Sequence, residues 1–195
     1  NISAAFANSR PRAIAIHCCA QLIPEPMGEQ TNISWADDTW NPFRGCRAVS
    51  PGCKNCYAKT LVERFGGDFS RRVRAAGSTF NAPLRWNNKP WVCDECGKVY
   101  QTPQAHFCLR DEGTFSADQT QWHRRRVFSL SLGDWLDPEV PIEWLADMLD
   151  VIRRCPELRF LLLTKRVDLF NRRLQDAINI CVRMSAQEFW LRGWA

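Results

Sequence analysis

Three cysteines lie within eleven residues in the first third of the chain: Cys46, Cys53 and Cys56. Thiolate sulfur is the usual protein ligand of iron–sulfur clusters and a frequent ligand of zinc. Three thiolates can hold a four-iron four-sulfur cluster in which one iron stays open to a ligand from outside the protein. The spacing therefore predicts an iron–sulfur site. The alternatives are zinc with a distant fourth ligand, or a purely structural set of thiols.

A second cysteine group lies in the middle of the chain. Two residues separate Cys93 from Cys96, which is the spacing of a zinc knuckle, and Cys108 follows after eleven more. A histidine would complete a tetrahedral site, and His123 is preferred over His106 because it stands directly before an apolar strand pattern. The group predicts a zinc site. A redox pair at the first two cysteines, or a second cluster, are the alternatives.

Polar side chains follow two apolar strand patterns in the second half. Asp134 follows the pattern over 126–132, and Lys165 and Arg166 follow the pattern over 159–164. In a parallel sheet or barrel the carboxyl ends of strands carry the chemistry. We expect Asp134 to bind a cofactor and the basic pair to bind a phosphate or carboxylate. All three are candidate catalytic residues, and a loop cap or a solvated face is the alternative.

The elements that position these residues can be read from the pattern. Residues 31–35 suggest a short strand, and turn residues then place Cys46 and Cys53 on an irregular loop. Asn55 is expected to cap a helix running to about residue 65, with Gly66 ending it in the left-handed conformation. Cys56 would then lie on the first helical turn, where unpaired backbone N–H groups stabilise anionic sulfur.

The second half alternates between strand and helix patterns. An apolar strand over 126–132 precedes a helix that starts at Pro141 and stops at Pro156, and a strand over 159–164 precedes a helix capped by Asp168. This alternation predicts parallel pairing through crossover helices, as in an open α/β sheet or part of a barrel.

Composition limits the class of protein. The chain is 45% hydrophobic and 24% charged, which is typical of a folded protein, and no apolar run is long enough to span a bilayer. Six of the ten cysteines lie in two local groups set among helix and strand patterns, which favours metal binding in a reducing, cytoplasmic compartment over disulfides. The net charge of +5 is modest. The arginine clusters over 71–74 and 124–126 predict solvated faces, with contact with an anionic ligand or nucleic acid as the alternative.

Several spaced segments together resemble an uncharacterised phage and bacterial family named after phage gene products thirty-seven and sixty-eight. That family is grouped with the radical S-adenosylmethionine superfamily. The resemblance covers about residues 31–170, and its segments are Ile33-Ser34-Trp35, Thr39-Trp40-Asn41-Pro42, Gly45-Cys46, Ser50-Pro51-Gly52-Cys53, Asn55-Cys56-Tyr57-Ala58, Arg125-Arg126-Val127-Phe128, Ser131-Leu132-Gly133-Asp134, Val140-Pro141 and Leu162-Leu163-Thr164-Lys165-Arg166.

The resemblance implies a four-iron four-sulfur cluster on Cys46, Cys53 and Cys56, S-adenosylmethionine at its open iron, and radical chemistry on an unknown substrate. It implies an α/β fold, here a truncated, partial TIM-like (β/α) barrel of the radical S-adenosylmethionine type with a zinc-ribbon-like insertion. The chain departs from the usual superfamily loop, because six residues rather than three separate its first two cysteines. The aromatic Tyr57 also follows the last cysteine instead of preceding it.

The expected organisation has four parts: a non-native or disordered extension over 1–26, a first barrel unit with the cluster loop over 27–92, a zinc-binding insertion over 93–123, and further barrel units, incomplete at the end, over 124–195. A radical enzyme of a phage or mobile element is the preferred function. A non-catalytic zinc or iron–sulfur protein that binds nucleic acid is the main alternative. A redox or zinc protein that does not use S-adenosylmethionine is a third.

Overall fold

The structure is a computed structural model. It describes residues 30–104, 106–108, 113–115 and 121–192, with side chains given for 30–104 and 121–183. The extension expected over 1–26 lies outside these residues. In the described part, no helix is both long enough and apolar enough to cross a membrane.

The principal sheet has three parallel strands, β1 (Asp38–Trp40), β9 (Arg126–Ser129) and β10 (Arg159–Leu162). Their order is β1-β9-β10, so a strand from the second half of the chain lies in the centre. Asp38 pairs with Val127, and Arg159 pairs with Arg126. The parallel pairing predicted for the two strands of the second half is confirmed.

The helices lie between and after these strands. Their bounds are α1 (Tyr57–Arg64), α2 (Gly77–Phe80), α3 (Ala82–Trp86), α4 (Ile142–Arg153) and α5 (Phe170–Arg192), with short 3-10 turns at Pro51–Cys53 and Val167–Leu169. Helix α4 begins directly after Pro141. Proline has no backbone N–H, but at the start of a helix this group has no intrahelical acceptor, so no hydrogen bond is lost. In α4, Leu145, Met148 and Val151 recur at helical spacing and are buried.

The remaining strands form three smaller sheets in the described residues. One sheet pairs β2 (Phe43–Arg44) with β3 (Val73–Arg74). A second sheet contains β4 (Trp91–Cys93), β5 (Val99–Tyr100) and β8 (Trp122–Arg124), in the order β5-β4-β8. The third is the hairpin of β6 (His106–Cys108) and β7 (Gly113–Phe115).

The core is built on the face of the principal sheet that α4 and α3 cover. Trp40, Val127 and Leu145 are almost fully buried there and belong to one apolar cluster. The indole Nε1 of Trp40 donates a 3.0 Å hydrogen bond to the carbonyl of Phe80, which satisfies its one polar atom inside the core. Burial of this face fixes the sheet and, with it, the positions of the strand ends.

The predicted partial barrel is wrong. The described residues form four small sheets, none of them closed, and the largest has three strands. Between β1 and β9 the chain makes short helices and antiparallel pairs in place of further parallel strands. The physical reason lies in residues 67–92, where Arg, Asn, Pro and Trp follow neither a strand nor a helix period. The alternation of strands and helices is confined to the second half, and there it is as consistent with an open sheet as with a barrel.

Three strand boundaries also differ from the prediction; the strand expected over 159–164 ends at Leu162. The strand expected over 31–35 lies instead at Asp38–Trp40, where Asp38 is buried against Arg125 in a charge-assisted pair. An aspartate normally marks a turn, so its place inside a strand is not readable without its partner. The strand expected over 126–132 ends at Ser129 because Leu130 takes a positive φ of 61°.

Candidate functional site

The loop that carries the first cysteine group is attached to the sheet through main-chain atoms. Gly45 donates a 2.9 Å hydrogen bond to the carbonyl of Leu132 and forms a parallel bridge with Gly133, just beyond the end of β9. Its φ is +99°, and a Cβ at this position would lie 2.2 Å from the carbonyl oxygen of Arg71. Only glycine fits here, so Gly45 determines the position of Cys46 and of the loop that follows.

The other two cysteines flank the start of a helix. Cys53 ends a 3-10 turn, and Cys56 is the N-cap residue of α1. The cap was predicted one residue earlier, at Asn55, but the helix itself and the left-handed Gly66 that follows it are confirmed. Cys56 therefore lies beside the unpaired N–H groups of the first turn, which favour negative charge.

Arg166 lies against the first cysteine. Its Nη1 is 3.3 Å from the Sγ of Cys46, and its Nη2 donates a 2.9 Å hydrogen bond to the carbonyl of Arg47. Only 5% of the Arg166 side chain is exposed, so these contacts are made in a place largely closed to water. The guanidinium of Arg166 thus contacts both the sulfur of Cys46 and the backbone carbonyl of the next residue, Arg47.

Asp134 in turn holds this arginine. Its Oδ2 accepts from the backbone N–H of Lys165 at 3.0 Å and lies 3.1 Å from Nη1 of Arg166. Its Oδ1 accepts from the hydroxyl of Thr164 at 2.8 Å and from the backbone N–H of Leu136 at 3.0 Å. The carboxylate joins the two strand ends. Cofactor binding by Asp134 stays a prediction.

Lys165 lies against the second cysteine. Its Nζ donates a 2.8 Å hydrogen bond to the carbonyl of Gly52 and is 3.9 Å from the Sγ of Cys53. The ammonium group is exposed, unlike the buried guanidinium beside it. The structure therefore brings the predicted basic pair to two of the three predicted thiol ligands, one cation to each.

The two thiols differ in acidity. Burial raises the pKa of the Cys46 thiol above its usual value, although Arg166 acts in the opposite direction. At Cys53 a backbone hydrogen bond at Val49 is the main cause of a pKa lowered to about 7, with Ser50 and Lys165 acting in the same direction. Cys53 therefore carries substantial thiolate at neutral pH, which is the form that binds metal.

Sequence reasoning missed the second buried arginine of this region. Arg72 donates a 3.0 Å hydrogen bond from its Nε to Asp137, and Asp137 also lies 3.6 Å from Arg166. The arginine cluster over 71–74 was interpreted as a solvated face, but the Arg72 side chain is only 6% exposed. The Asp134–Asp137 spacing after an apolar strand was the available signal for this network.

An open groove lies beside α1 and the edge strand β1. Its volume is about 870 Å³, and Asn41, Tyr57, Arg74 and Ser131 are among the residues that line it. The hydroxyl of Tyr57 donates a 2.7 Å hydrogen bond to the carbonyl of Ser131, so the residue after Cys56 closes one side of the groove onto the sheet. The groove combines apolar walls with amide, hydroxyl and guanidinium groups, as small-molecule sites do.

The second cysteine group forms a tight turn between β4 and β5. Gly97 has a φ of +69° and donates a 2.9 Å hydrogen bond to the carbonyl of Cys93, which is the turn that a zinc knuckle needs. Cys93 is buried and Cys96 is partly buried. The side chains of Cys108 and His106 lie outside the described residues.

The structure does not place His123 on the same face of this sheet as Cys93. His123 pairs with Val92, and Cys93 pairs with Trp122, so the histidine and the cysteine lie on opposite faces of the sheet. Its Nε2 is 3.0 Å from Asp37, and its Nδ1 contacts Asp94. Both ring nitrogens are therefore engaged by carboxylates in this structure.

The two cysteine groups lie at opposite ends of the principal sheet. Cys46 and Cys53 contact residues beyond the carboxyl ends of β9 and β10, whereas the sheet of β4 and β8 meets Asp37 before the start of β1. Among the described residues, no three Cys, His, Asp or Glu side chains surround a point that could hold a metal ion. The three thiols of the first group therefore do not surround a common point in the described residues, and the finding does not bear on Cys108, whose side chain lies outside them.

Comparison with known proteins gives one match. A family model described as "Protein of unknown function (DUF5131)" matches residues 30–193, which is most of the chain. No curated protein and no solved structure matches it.

Proposed function

Because the chain belongs to the family described as DUF5131, whose description assigns no activity, we propose a function from the chemistry of its own residues. The protein is an iron–sulfur protein of the radical S-adenosylmethionine type. Cys46, Cys53 and Cys56 are the residues that would hold a four-iron four-sulfur cluster. When bound, such a cluster supplies an electron to S-adenosylmethionine ligated at the open iron.

One observation carries this proposal. Two of the three thiol sulfurs lie against a cation, Cys46 against Arg166 and Cys53 against Lys165, where two parallel strands end. Three thiolates in one loop repel one another, and nearby cations reduce that cost. Structural thiols buried in a core need no such cations, so the arrangement favours metal binding over a packing role.

The chain supports the ligand set in three ways. Gly45 fixes the start of the loop against Gly133, and the first turn of α1 favours negative charge at Cys56. Beyond Cys46, the backbone hydrogen bonds of this loop are local turns, and its contacts with the ends of β9 and β10 are made by the side chains of Arg166 and Lys165. The groove lined by Tyr57, the residue after Cys56, is the space that we assign to a substrate.

Anaerobic reconstitution with iron and sulfide tests the proposal. We expect four irons and four sulfides per chain, and an electron paramagnetic resonance spectrum that changes when S-adenosylmethionine is added. The change reflects new nitrogen and oxygen ligands at the open iron. Adenosine, which lacks the amino acid part, is the matched control and should leave the spectrum unchanged. A cluster whose spectrum ignores S-adenosylmethionine would remove the radical-enzyme proposal.

The second candidate, a zinc protein that binds nucleic acid, is favoured only by the knuckle at Cys93 and Cys96. Its basic patch is neutralised: Arg124 contacts Glu157, Arg125 contacts Asp38, and Arg126 contacts Asp37. Arginines paired in this way have little charge left for phosphates. We therefore keep the zinc site as part of the proposal and place nucleic-acid binding behind the radical enzyme.

We expect the purified protein to contain one zinc that is independent of the iron site. Replacing Cys93 with serine should release this zinc and leave iron binding intact, because the two cysteine groups lie at opposite ends of the sheet. Metal analysis of the wild-type and variant proteins measures both. His123→Ala should retain zinc, since its nitrogens face Asp37 and Asp94. Loss of both metals from the Cys93 variant would argue against a separate site.

A further inference from the structure

Lys165 and Arg166 are neighbours in sequence, but they contact different cysteines. From this division we propose that both are positioning residues of the cluster, with separate tasks: Arg166 holds Cys46 in place, and Lys165 sets the charge felt at Cys53. This inference rests on the proposed function, because it assigns roles toward the iron–sulfur cluster. It deepens that function by naming the groups that control cluster retention and reduction potential.

Arg166 is built to hold a position. It is 5% exposed and contacts four partners: the sulfur of Cys46, the carbonyl of Arg47, and the carboxylates of Asp134 and Asp137. A planar guanidinium with several fixed partners has one orientation, which a lysine in its place cannot reproduce. Its Nη1 lies 3.3 Å from the Cys46 sulfur, so the thiol ligand is fixed before any metal arrives.

Lys165 is built differently. Its backbone is fixed, because its N–H donates to Asp134 at 3.0 Å, but its ammonium group is exposed and reaches back over the loop to Gly52 and Cys53. A cation 3.9 Å from a ligating sulfur stabilises the more negative, reduced state of a cluster. Charge and hydrogen bonds near the sulfurs are the main means by which a protein sets the reduction potential of such a cluster.

The two roles predict different effects. Lys165→Met should keep four irons per chain but lower the midpoint potential, by about 59 mV if the reduction equilibrium changes tenfold for one electron. Lys165→Arg should restore most of the wild-type potential. Arg166→Lys should instead speed iron loss to a chelator by about 10–100-fold, the usual range for a group behind a metal ligand. Arg153→Gln, at an exposed pair with Asp150, is the control and should change neither quantity.

The experiment is a redox titration and a chelator assay on anaerobically reconstituted protein, with circular dichroism to confirm that each variant is folded. Arg166→Gln removes the cation beside Asp134 and leaves Asp137 with Arg72, so Arg166→Lys decides the result if the glutamine variant does not fold. A stable cluster in the wild type with an unchanged potential in Lys165→Met and unchanged iron loss in Arg166→Lys would overturn this inference alone. Wild-type protein that takes up no cluster would overturn the proposed function, and this inference with it.

Discussion

Replacing Cys46, Cys53 or Cys56 with serine, one at a time, will abolish the proposed iron–sulfur cluster. A four-iron cluster held by three thiolates has no spare ligand, and a serine hydroxyl binds iron far more weakly than thiolate sulfur does. Each variant should retain less than about a tenth of the wild-type iron and sulfide after anaerobic reconstitution, a loss at the upper end of the range seen when a metal site is damaged. The measurement is iron and sulfide per chain.

The chain supplies matched controls for this result. Cys181 is partly buried in α5 and contacts the apolar core, far from the loop in sequence. Cys181→Ser should keep the full cluster. Cys155 is 1% exposed in the same core, so Cys155→Ala should cost some stability but no iron. If a single loop cysteine can be replaced without loss of iron, these three thiols are not the ligand set.

Gly45→Ala will destabilise the protein by about 3–5 kcal/mol, in the range of severe single substitutions. The new Cβ would lie 2.2 Å from the carbonyl oxygen of Arg71, and the φ of +99° is strained for any residue with a side chain. The loop must then leave its place against Leu132 and Gly133. Urea unfolding measures the loss of stability, and iron analysis should show a parallel loss of cluster.

Two other glycines separate the causes of this effect. Gly66 has a φ of +73° with nothing near its added Cβ, so Gly66→Ala should cost only the backbone term, about 1–2 kcal/mol. Gly77 has open space and no positive φ, so Gly77→Ala in α2 should be neutral or slightly stabilising. A Gly45 variant no less stable than the Gly66 variant would show that the loop adjusts freely at this point.

The helices and the strand pairing of the second half could be predicted from the sequence because their signals are local. Leu145, for example, lies in an amphipathic repeat that begins at a proline, and the strand at 159–162 is an apolar run. The strand at 38–40 could not be predicted, since its buried Asp38 depends on Arg125, which is 87 residues away. The barrel was wrong because the resemblance extended a pattern that residues 67–92 do not continue.

The candidate site was partly predictable for the same reason. Asp134, Lys165 and Arg166 were each expected at the carboxyl end of a strand, and the structure places them in contact, because such ends meet at one edge of a parallel sheet. The contact between this group and the cysteine loop could not be predicted from the sequence, because it depends on the parallel bridge between Gly45 and Gly133. The face on which His123 lies was equally hidden, since it depends on the register of β4 with β8.

The strand order of the principal sheet also determines when the candidate site can form during synthesis of the chain. Cys46 leaves the ribosome early, but Arg166, which holds its sulfur, is 120 positions later in the chain. Strand β9, at whose end the loop is anchored, is likewise synthesised long after β1. Pairing of these two strands closes a long loop of chain, which has a conformational entropy cost. The thiols therefore have no cation partners until residues 165 and 166 have been made. The proposed metal centre would assemble only after that point, and a nascent chain halted before residue 166 exposes Cys46 without its arginine.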